Sequence, residues 1–412
     1  MMTGTPSRSC LDRRTFLGVA AGFAMLPALR ARAAPADWAA TLEAARGKTI
    51  YWHAWGGDPR INDYIGWVTQ RAQARFDVTL KHVKVDDTAN VVQAVLAEKA
   101  AGVVTNGSVD LVWINGENFA AMRQNGLLQA EPWAAGLPNF RFVDTTGKPT
   151  TVSDFTIPTD GLEAPWGMAQ LVFFHDSAVL ADPPRSLRAL VEWTKANPGR
   201  FTYPAPPDFV GSTFLKQVMV DLAPDTSVLY RPLDPAAFTS ASAGVFALLD
   251  DMHPHLWRQG RTFPVNYTAL RQLMSDGEID IAFAFNPAAA SNAIAAGELP
   301  DTVRSFVFDG GTIGNTHFVA IPFNSGAPEA AMVVADFLLS PEAQARKQDP
   351  AIWGDPTVLD VAALDGEDAA RFAAIDLGPA TPTPSELGRA LPEPHPSWME
   401  AMEAEWLRRY SA

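Results

Sequence analysis

Residues 164–180, APWGMAQLVFFHDSAVL, constrain the fold more than any other stretch of the chain. A Pro and a Gly break any helix at its start, the apolar run 169–174 reads as a strand, and His175, Asp176 and Ser177 signal strand exit and helix entry. Everything before it reads as one α/β unit. The residues immediately beyond, SLRALVEWTKANPGRFTYPA, begin another helix and strand, so this is where the chain leaves one lobe for a second. At 412 residues the chain exceeds the roughly 250–300 residues at which a single core stops growing, and two lobes are expected. No later apolar run reaches the ~20 residues of a membrane helix.

Residues 1–33 read as a leader. Arg8, Arg13 and Arg14 precede the apolar run 16–29 (FLGVAAGFAMLPAL), and Ala31-Arg32-Ala33 supplies the small residues of a cleavage site. Residues 12–17 (DRRTFL) match a twin-arginine export signal, which is read by a receptor rather than serving as an anchor. The expected address is the periplasm, reached through the twin-arginine (Tat) export machinery. Cys10, the only cysteine, lies ahead of the apolar run, where a lipid anchor cannot use it. Cleavage near Ala33 leaves no disulfide, thiol nucleophile or thiolate metal site. It removes five Arg and one Asp, taking the formal charge from −14 to −18, which argues against nucleic acid or anionic lipid as partner.

Residues 48–55 (KTIYWHAW) predict a strand ending at Gly56-Gly57-Asp58-Pro59, followed by a helix to about Phe76 with Ile61, Ile65 and Val68 on one face. A second strand over 77–85, a helix capped by Thr88, and an apolar third strand at 109–114 complete β-α-β-α-β, hence a mostly parallel sheet covered on both faces. Residues 131–165 form a Pro- and Gly-punctuated excursion. Beyond the crossing come a helix at 187–196, a strand at 200–205, and Gly211-Ser212-Thr213 opening another helix. Helical stretches cover 235–276, and a strand at 278–285 leads to an Ala-rich helix ending at Ala296. Strands at 304–308 and 316–322 around Asp309-Gly310-Gly311 read as the return crossing. Residues 375–397, dense in Pro, read as a wrapped extended segment, and 398–409 as the closing helix.

GMAQLVFFHDSAV, GEIDIAFAFNPAAASNAI and PEAAMVVADFLLSPEAQ, in that order and with the opening KTIYWHAWGG, resemble the periplasmic solute-binding proteins of ABC transporters. The wording of IYWHAWGGDPRINDYIGWV and GEIDIAFAFNP looks most like the YnjB-type branch, often grouped with thiamine-related transport. The resemblance implies an α/β fold of two lobes, each a mostly parallel sheet flanked by helices, joined by two crossover strands. On that reading 34–168 with 306–345 form the first lobe, 169–305 the second, and 346–412 a helical and Pro-rich segment packed on both. It further implies a monomer that hands a small solute to an inner-membrane permease and its ATPase, with no cofactor.

In open α/β sheets, ligands bind beyond the carboxyl ends of the strands. That rule selects Trp55, Gly56, Gly57 and Asp58, then Asn115, Glu117 and Asn118, then Tyr203 with Ser212 and Thr213, Asn286, Asp309 and Asn315. Trp55 and Trp166 offer ring faces for stacking or for a cation, and Asp58 or Glu117 beside them favours positive charge. Plain core packing of both tryptophans and helix capping by both acids remain open beside this. Gly211-Ser212-Thr213 is either an anion site at a helix start or an ordinary cap. His253-Pro254-His255 is a weak metal pattern, and no two of the six tyrosines are adjacent, which disfavours iron. There is no G-x-S-x-G, H-E-x-x-H or P-loop, so an enzyme is not expected. The rival classes are an enzyme using Asp58 and Glu117, or a sensory adaptor. For the solute, a thiamine-like or other aromatic cation, a polyamine and a sugar held by Asn115 and Asn286 stay open.

Overall fold

The computed structural model describes residues 38–411, so the leader expected at 1–33 lies outside the described residues. Among the described residues no helix is long and apolar enough to cross a membrane. In β1 (Thr49–Trp55) side chains alternate, with Ile50, Trp52 and Ala54 buried. Asp58 then caps the helix Pro59–Phe76, Pro59 takes the first turn, and Ile61, Ile65, Val68 and Ala72 make its buried stripe. That helix ends on Asp77 at φ 55° and returns the chain to β2 (Thr79–Val85), parallel to β1 from Thr49↔Thr79 to Trp55↔Val85. A second crossover helix, Thr88–Ala100, leads to β3 (Leu111–Ile114), which joins the other edge of β1, again parallel.

A short hairpin, β4 (Ser153–Asp154) with β5 (Ile157–Pro158), precedes the crossing strands. These are β6 (Glu163–Gln170), which runs into β7 (Val172–Asp176), and β9 (Val303–Phe306), which returns through a turn to β10 (Thr312–Ala320). β6 and β10 pair antiparallel from Glu163↔Ala320 to Gln170↔Gly314, and β10 also pairs with β3. β7 lies between β9 and β8 (Ile281–Ala284), antiparallel to both, as a second sheet. β11 (Ala390–Leu391) pairs with the first residues of β10.

The α/β, two-lobed class is the expected one, but strand sense differs from expectation. Among the described residues only β1, β2 and β3, and the short β10–β11 pair, are parallel. An outgoing and a returning strand laid side by side must run in opposite directions, and β7 is paired on both edges by chain that reverses. The strand expected at 169–174 is two strands broken at Leu171, and the first starts upstream through Pro165 and Gly167. Pro165 is accommodated because β6 shifts register against β10 between His317 and Phe318. Gly167 is required because a Cβ there would collide with the Asp355 carboxylate and the His317 ring. Residues 201–204 are buried, but 200–205 are not a strand: their backbone groups pair with Asp280, Trp257 and Pro264 in turn rather than with one ladder.

Phe173, Phe174, Phe214, Leu249 and Phe283 form the core around β7, together with Trp398, Met402 and Trp406 of the C-terminal helix Pro396–Tyr410. Burying each such side chain contributes about 1.5–3 kcal/mol, so the tail is part of this core and not a wrapping alone. The first sheet is covered on one face by Trp52, Ile65, Val68 and Phe337 and on the other by Val92, Val95, Phe119 and Met122.

Candidate functional site

The helix Phe209–Leu222 is buried at every position from Val210 to Val220, and one of those positions is Lys216. An ammonium in such surroundings needs a partner. Its Nζ lies 2.6 Å from Glu393 Oε2, with both side chains almost without solvent contact. Two rings flank it, Phe155 at 4.8 Å and Phe209 at 5.2 Å from the ring centroids, an arrangement that attracts a cation. Lys216 belongs to the body built on β7, Phe155 to the hairpin that precedes β6, and Glu393 to the tail beyond β11. The ammonium therefore sits where these three parts meet.

Carboxylates outnumber it. Asp154 is fully buried, and burial pushes its carboxyl well above the usual range; the N–H of Gly116 and the charge of Lys216 pull the other way, while Glu117 and Glu393 push further up. Glu117 has solvent access yet protein closes around it, the situation of a side chain lining a crevice. Desolvation by those walls raises its carboxyl, opposed by Lys216 and reinforced by Glu403 and Glu393. Glu403 is raised by burial against the hydrogen bond from Ser212 Oγ (2.5 Å) and the charge of Lys216. Glu393 thus contacts the ammonium, and Asp154, Glu117 and Glu403 lie near enough to feel its charge. Next to them Glu163 is raised well above the usual range by burial and then by Asp154, and neither of its oxygens has a hydrogen-bond partner.

Beside Glu393 lies a cavity of about 170 Å³ lined by Thr150, Ser153, Phe155, Thr156 and Asn315. One wall is the β4–β5 turn. Both its central residues have positive φ, Phe155 at 40° and Thr156 at 70°, as a two-residue turn of this hand demands. Asn-Gly is the usual solution, and a β-branched residue there is strained. The turn is held because Asp154 Oδ2 accepts the Gly116 N–H at 2.7 Å and the Phe155 ring packs on Gly116, where a Cβ would meet it at 2.8 Å. Asn315, 3% exposed in β10, donates Nδ2 to Glu393 Oε1 at 3.0 Å. Asn315 Oδ1 and Thr156 Oγ1 have no hydrogen-bond partner.

Of the residues selected from sequence, Glu117 and Asn315 belong to this constellation, and Asn115 precedes its Gly116 without capping the helix Gly116–Gln124 by its side chain. Asn118 comes next in that helix, partly buried. Ser212 reaches the constellation through Glu403, but Thr213 Oγ1 is spent on Phe209 O at 2.8 Å. The anion-site reading of Gly211-Ser212-Thr213 fails, because Asp208 Oδ1 takes the Val210 and Gly211 N–H groups and places a negative charge there. A second group gathers around Asp58, whose Oδ1 caps its own helix at Arg60 (2.7 Å) and whose charge is felt at Tyr267. Arg60 there donates to Pro350 O and Asn292 O, both at 2.9 Å, and Asn286 Nδ2 to Trp353 O at 3.4 Å. Trp55 is 39% exposed at the tip of β1, with Gly57 packed on its ring. The Gly56 N–H is taken by Val85 O, and a Cβ there would meet Lys84.

Three selected residues offer nothing to a solute here. Trp166 is fully buried among Trp52, Trp113, Trp353 and His317, all within 5.5 Å between ring centroids. Tyr203 is fully buried, its hydroxyl between His253 Nε2 (2.7 Å) and Trp406 Nε1 (2.8 Å). Asp309 sits on an exposed turn, with its N–H on Arg185 O. Lys216, Phe155, Thr156, Asp154, Glu393 and Glu403 were not selected. The signal for Lys216 was present, a single charge inside FVGSTFLKQVMV; nothing local marks the tail acids. Among the described residues no group of three or more His, Cys, Asp or Glu is placed to hold a metal.

The profile of the family described as bacterial extracellular solute-binding protein matches residues 66–374. The chain is 45% identical over 375 residues to Protein YnjB of Escherichia coli K12, covering 91% of this chain and 94% of that one. Among solved structures it resembles the TpPotD lipoprotein of Treponema pallidum (TM-score 0.64, 13% identity, 87% of this chain and 98% of that one). It also resembles the periplasmic binding protein AfuA of Actinobacillus pleuropneumoniae, solved with exogenous fructose-6-phosphate (TM-score 0.59, 13% identity, 88% and 99%). An ABC transporter structure from Clostridium perfringens matches at TM-score 0.60, with 14% identity over 88% and 98%.

Proposed function

The chain belongs to the bacterial extracellular solute-binding proteins and is a solute-binding receptor of an ABC transporter, and on that premise we propose that its solute is a small cation, thiamine-like or an amine. The observation that carries this reading is the set of four carboxylates, Glu117, Asp154, Glu393 and Glu403, around the single ammonium of Lys216. Carboxyls crowded together behind low-dielectric walls are held toward their neutral form, and a cation that enters among them stabilises their charged form and is held by it. The solute is gripped between a first lobe of residues 34–168 with 306–345 and a second of 169–305, with 346–412 packed on both. Rotation is absorbed where β6 passes into β7 and β9 into β10, and the solute stabilises the closed form by contacts to both lobes. The protein leaves the cytoplasm by the twin-arginine route, works as a periplasmic monomer and delivers its solute to an inner-membrane permease and ATPase.

Thermal unfolding and tryptophan fluorescence against thiamine and its phosphates, polyamines, sugars and oligopeptides test the proposal, because a solute that binds only the native state raises its stability. Trp55, exposed at the tip of β1, is the reporter. Stabilisation by a cation is expected. Stabilisation by sugars or peptides, and by no cation, would contradict it.

A further inference from the structure

We infer that the cavity beside β10 binds an ammonium group that carries N–H donors, a primary or secondary amine, with Asn315 Oδ1 and Thr156 Oγ1 as its acceptors and the Phe155 ring as its wall. The inference rests on the reading above that the solute is a cation and narrows it to one class. Its first support is the orientation of Asn315. A carboxylate oxygen only accepts, so the side-chain amide must turn its NH₂ to Glu393 Oε1, which leaves Oδ1 as the free end. That oxygen belongs to a residue that is 3% exposed and lines the cavity, and it has no hydrogen-bond partner in the protein. A buried acceptor left unmatched is costly, and a donor from a ligand is what matches it.

A second, independent support is the turn. Phe155 and Thr156 occupy left-handed backbone positions that glycine or asparagine would fill without strain. Such strain persists where the side chains themselves are needed. Here the turn brings Phe155 to the Lys216 ammonium and makes Thr156, whose buried hydroxyl has no hydrogen-bond partner, part of the cavity lining. The third support is that the neighbouring aromatic and carboxylate surface already holds one primary ammonium, that of Lys216, in the protein itself. A quaternary or thiazolium nitrogen has the charge but no N–H for Asn315 Oδ1, and a neutral alcohol has a donor but no charge. Both should bind poorly.

Isothermal titration of the mature exported protein with n-butylamine, 1,4-diaminobutane, butyltrimethylammonium and n-butanol separates these cases. The two amines should bind at least tenfold more tightly than the quaternary ion and the alcohol. Asn315→Leu should lose at least tenfold in amine affinity. Because that variant also removes a donor from Glu393 and can lose stability, Thr156→Gly is the companion. It should raise the melting temperature by relieving the backbone while weakening amine binding several-fold, a combination that a merely structural role does not produce. Equal binding of butylamine and butyltrimethylammonium, or unchanged amine affinity in Thr156→Gly, would overturn the inference and leave the cationic receptor standing. If no compound of the series binds while thiamine does, the inference also falls alone; if only neutral solutes bind, both fall.

Discussion

Lys216 and Lys347 are both buried in this protein, and their surroundings differ in a way that separates architecture from function. Lys347, in the helix Pro341–Gln348, has no exposed surface. Its ammonium forms an ion pair with Asp355 and donates to the carbonyls of Asp355 (3.3 Å) and Pro356 (3.2 Å), beneath the rings of Trp353 and Trp166. His317 Nε2 completes the Asp355 oxygen at 3.1 Å. Burial pulls the Lys347 ammonium below its ordinary range and Asp355 restores it in part. Lys216 has the same kinds of neighbour, a carboxylate and two rings, but they come from three separate parts of the chain, and two of them, Glu393 and Phe155, line a cavity shared with Asn315 and Thr156, whose acceptors are unmatched. One lysine has each of its three donors matched and locks a core; the other sits at a junction built to hold positive charge.

The contrast breaks most directly on stability. Removing one member of a buried pair strands the other, so Lys347→Met should cost about 3–5 kcal/mol in urea unfolding. Lys216→Met should cost less, about 1–3 kcal/mol, because Glu393 keeps the Asn315 donor and faces the cavity. Equal losses would erase the distinction.

Acid probes how the tail is fastened to the second core, and hence how Glu403 is delivered. Trp406 Nε1 can only donate, so it donates to the Tyr203 oxygen, and the Tyr203 hydroxyl donates in turn to His253 Nε2. That chain requires neutral His253, and burial lowers its pKa to about 4. The folded value lies below the unfolded one of 6.5, so the unfolded state takes up the proton first, and stability falls as pH drops from 6.5 toward 4. Between pH 7 and 4.5 the wild type should lose about 2 kcal/mol more than His253→Phe, measured as paired urea midpoints. Equal losses in both would mean that this histidine does not hold the tail.

The smallest effect is the most discriminating. At ten times its Kd for the cavity beside β10, n-butylamine should stabilise the wild type and Lys347→Ala alike by about 1.4 kcal/mol, and Lys216→Ala by more, because the vacated ammonium position beside Glu393 takes a second amine. An equal gain in the two lysine variants, or none in Lys216→Ala, would remove the functional meaning given to the contrast.

The sequence carried the lobes through periodicity and order, because the first sheet's strands and helices are local patterns. It misread strand breakers wherever a distant partner accommodates them, as at Pro165 on a register shift and Gly167 against Asp355 and His317. The strand-end rule selected Glu117 and Asn315, which the fold brings near Lys216 and Glu393. It also chose Trp166 and Tyr203, whose side chains turn into cores, since a rule about strand ends cannot say which face a ring takes. Gly211-Ser212-Thr213 looked like a helix start because Asp208, the residue that caps, stands only one turn earlier. Glu393 and Glu403 were illegible because they reach Lys216 from the far end of the chain, and only the closed fold brings them there.

The most direct measurement of the central claim is native mass spectrometry of the protein purified from the periplasm without exhaustive dialysis, followed by acid release and identification of whatever it carries. The account predicts one basic small molecule per chain, bearing an amine N–H, that is lost from Asn315→Leu. A stoichiometric neutral sugar or an anion in its place would contradict it.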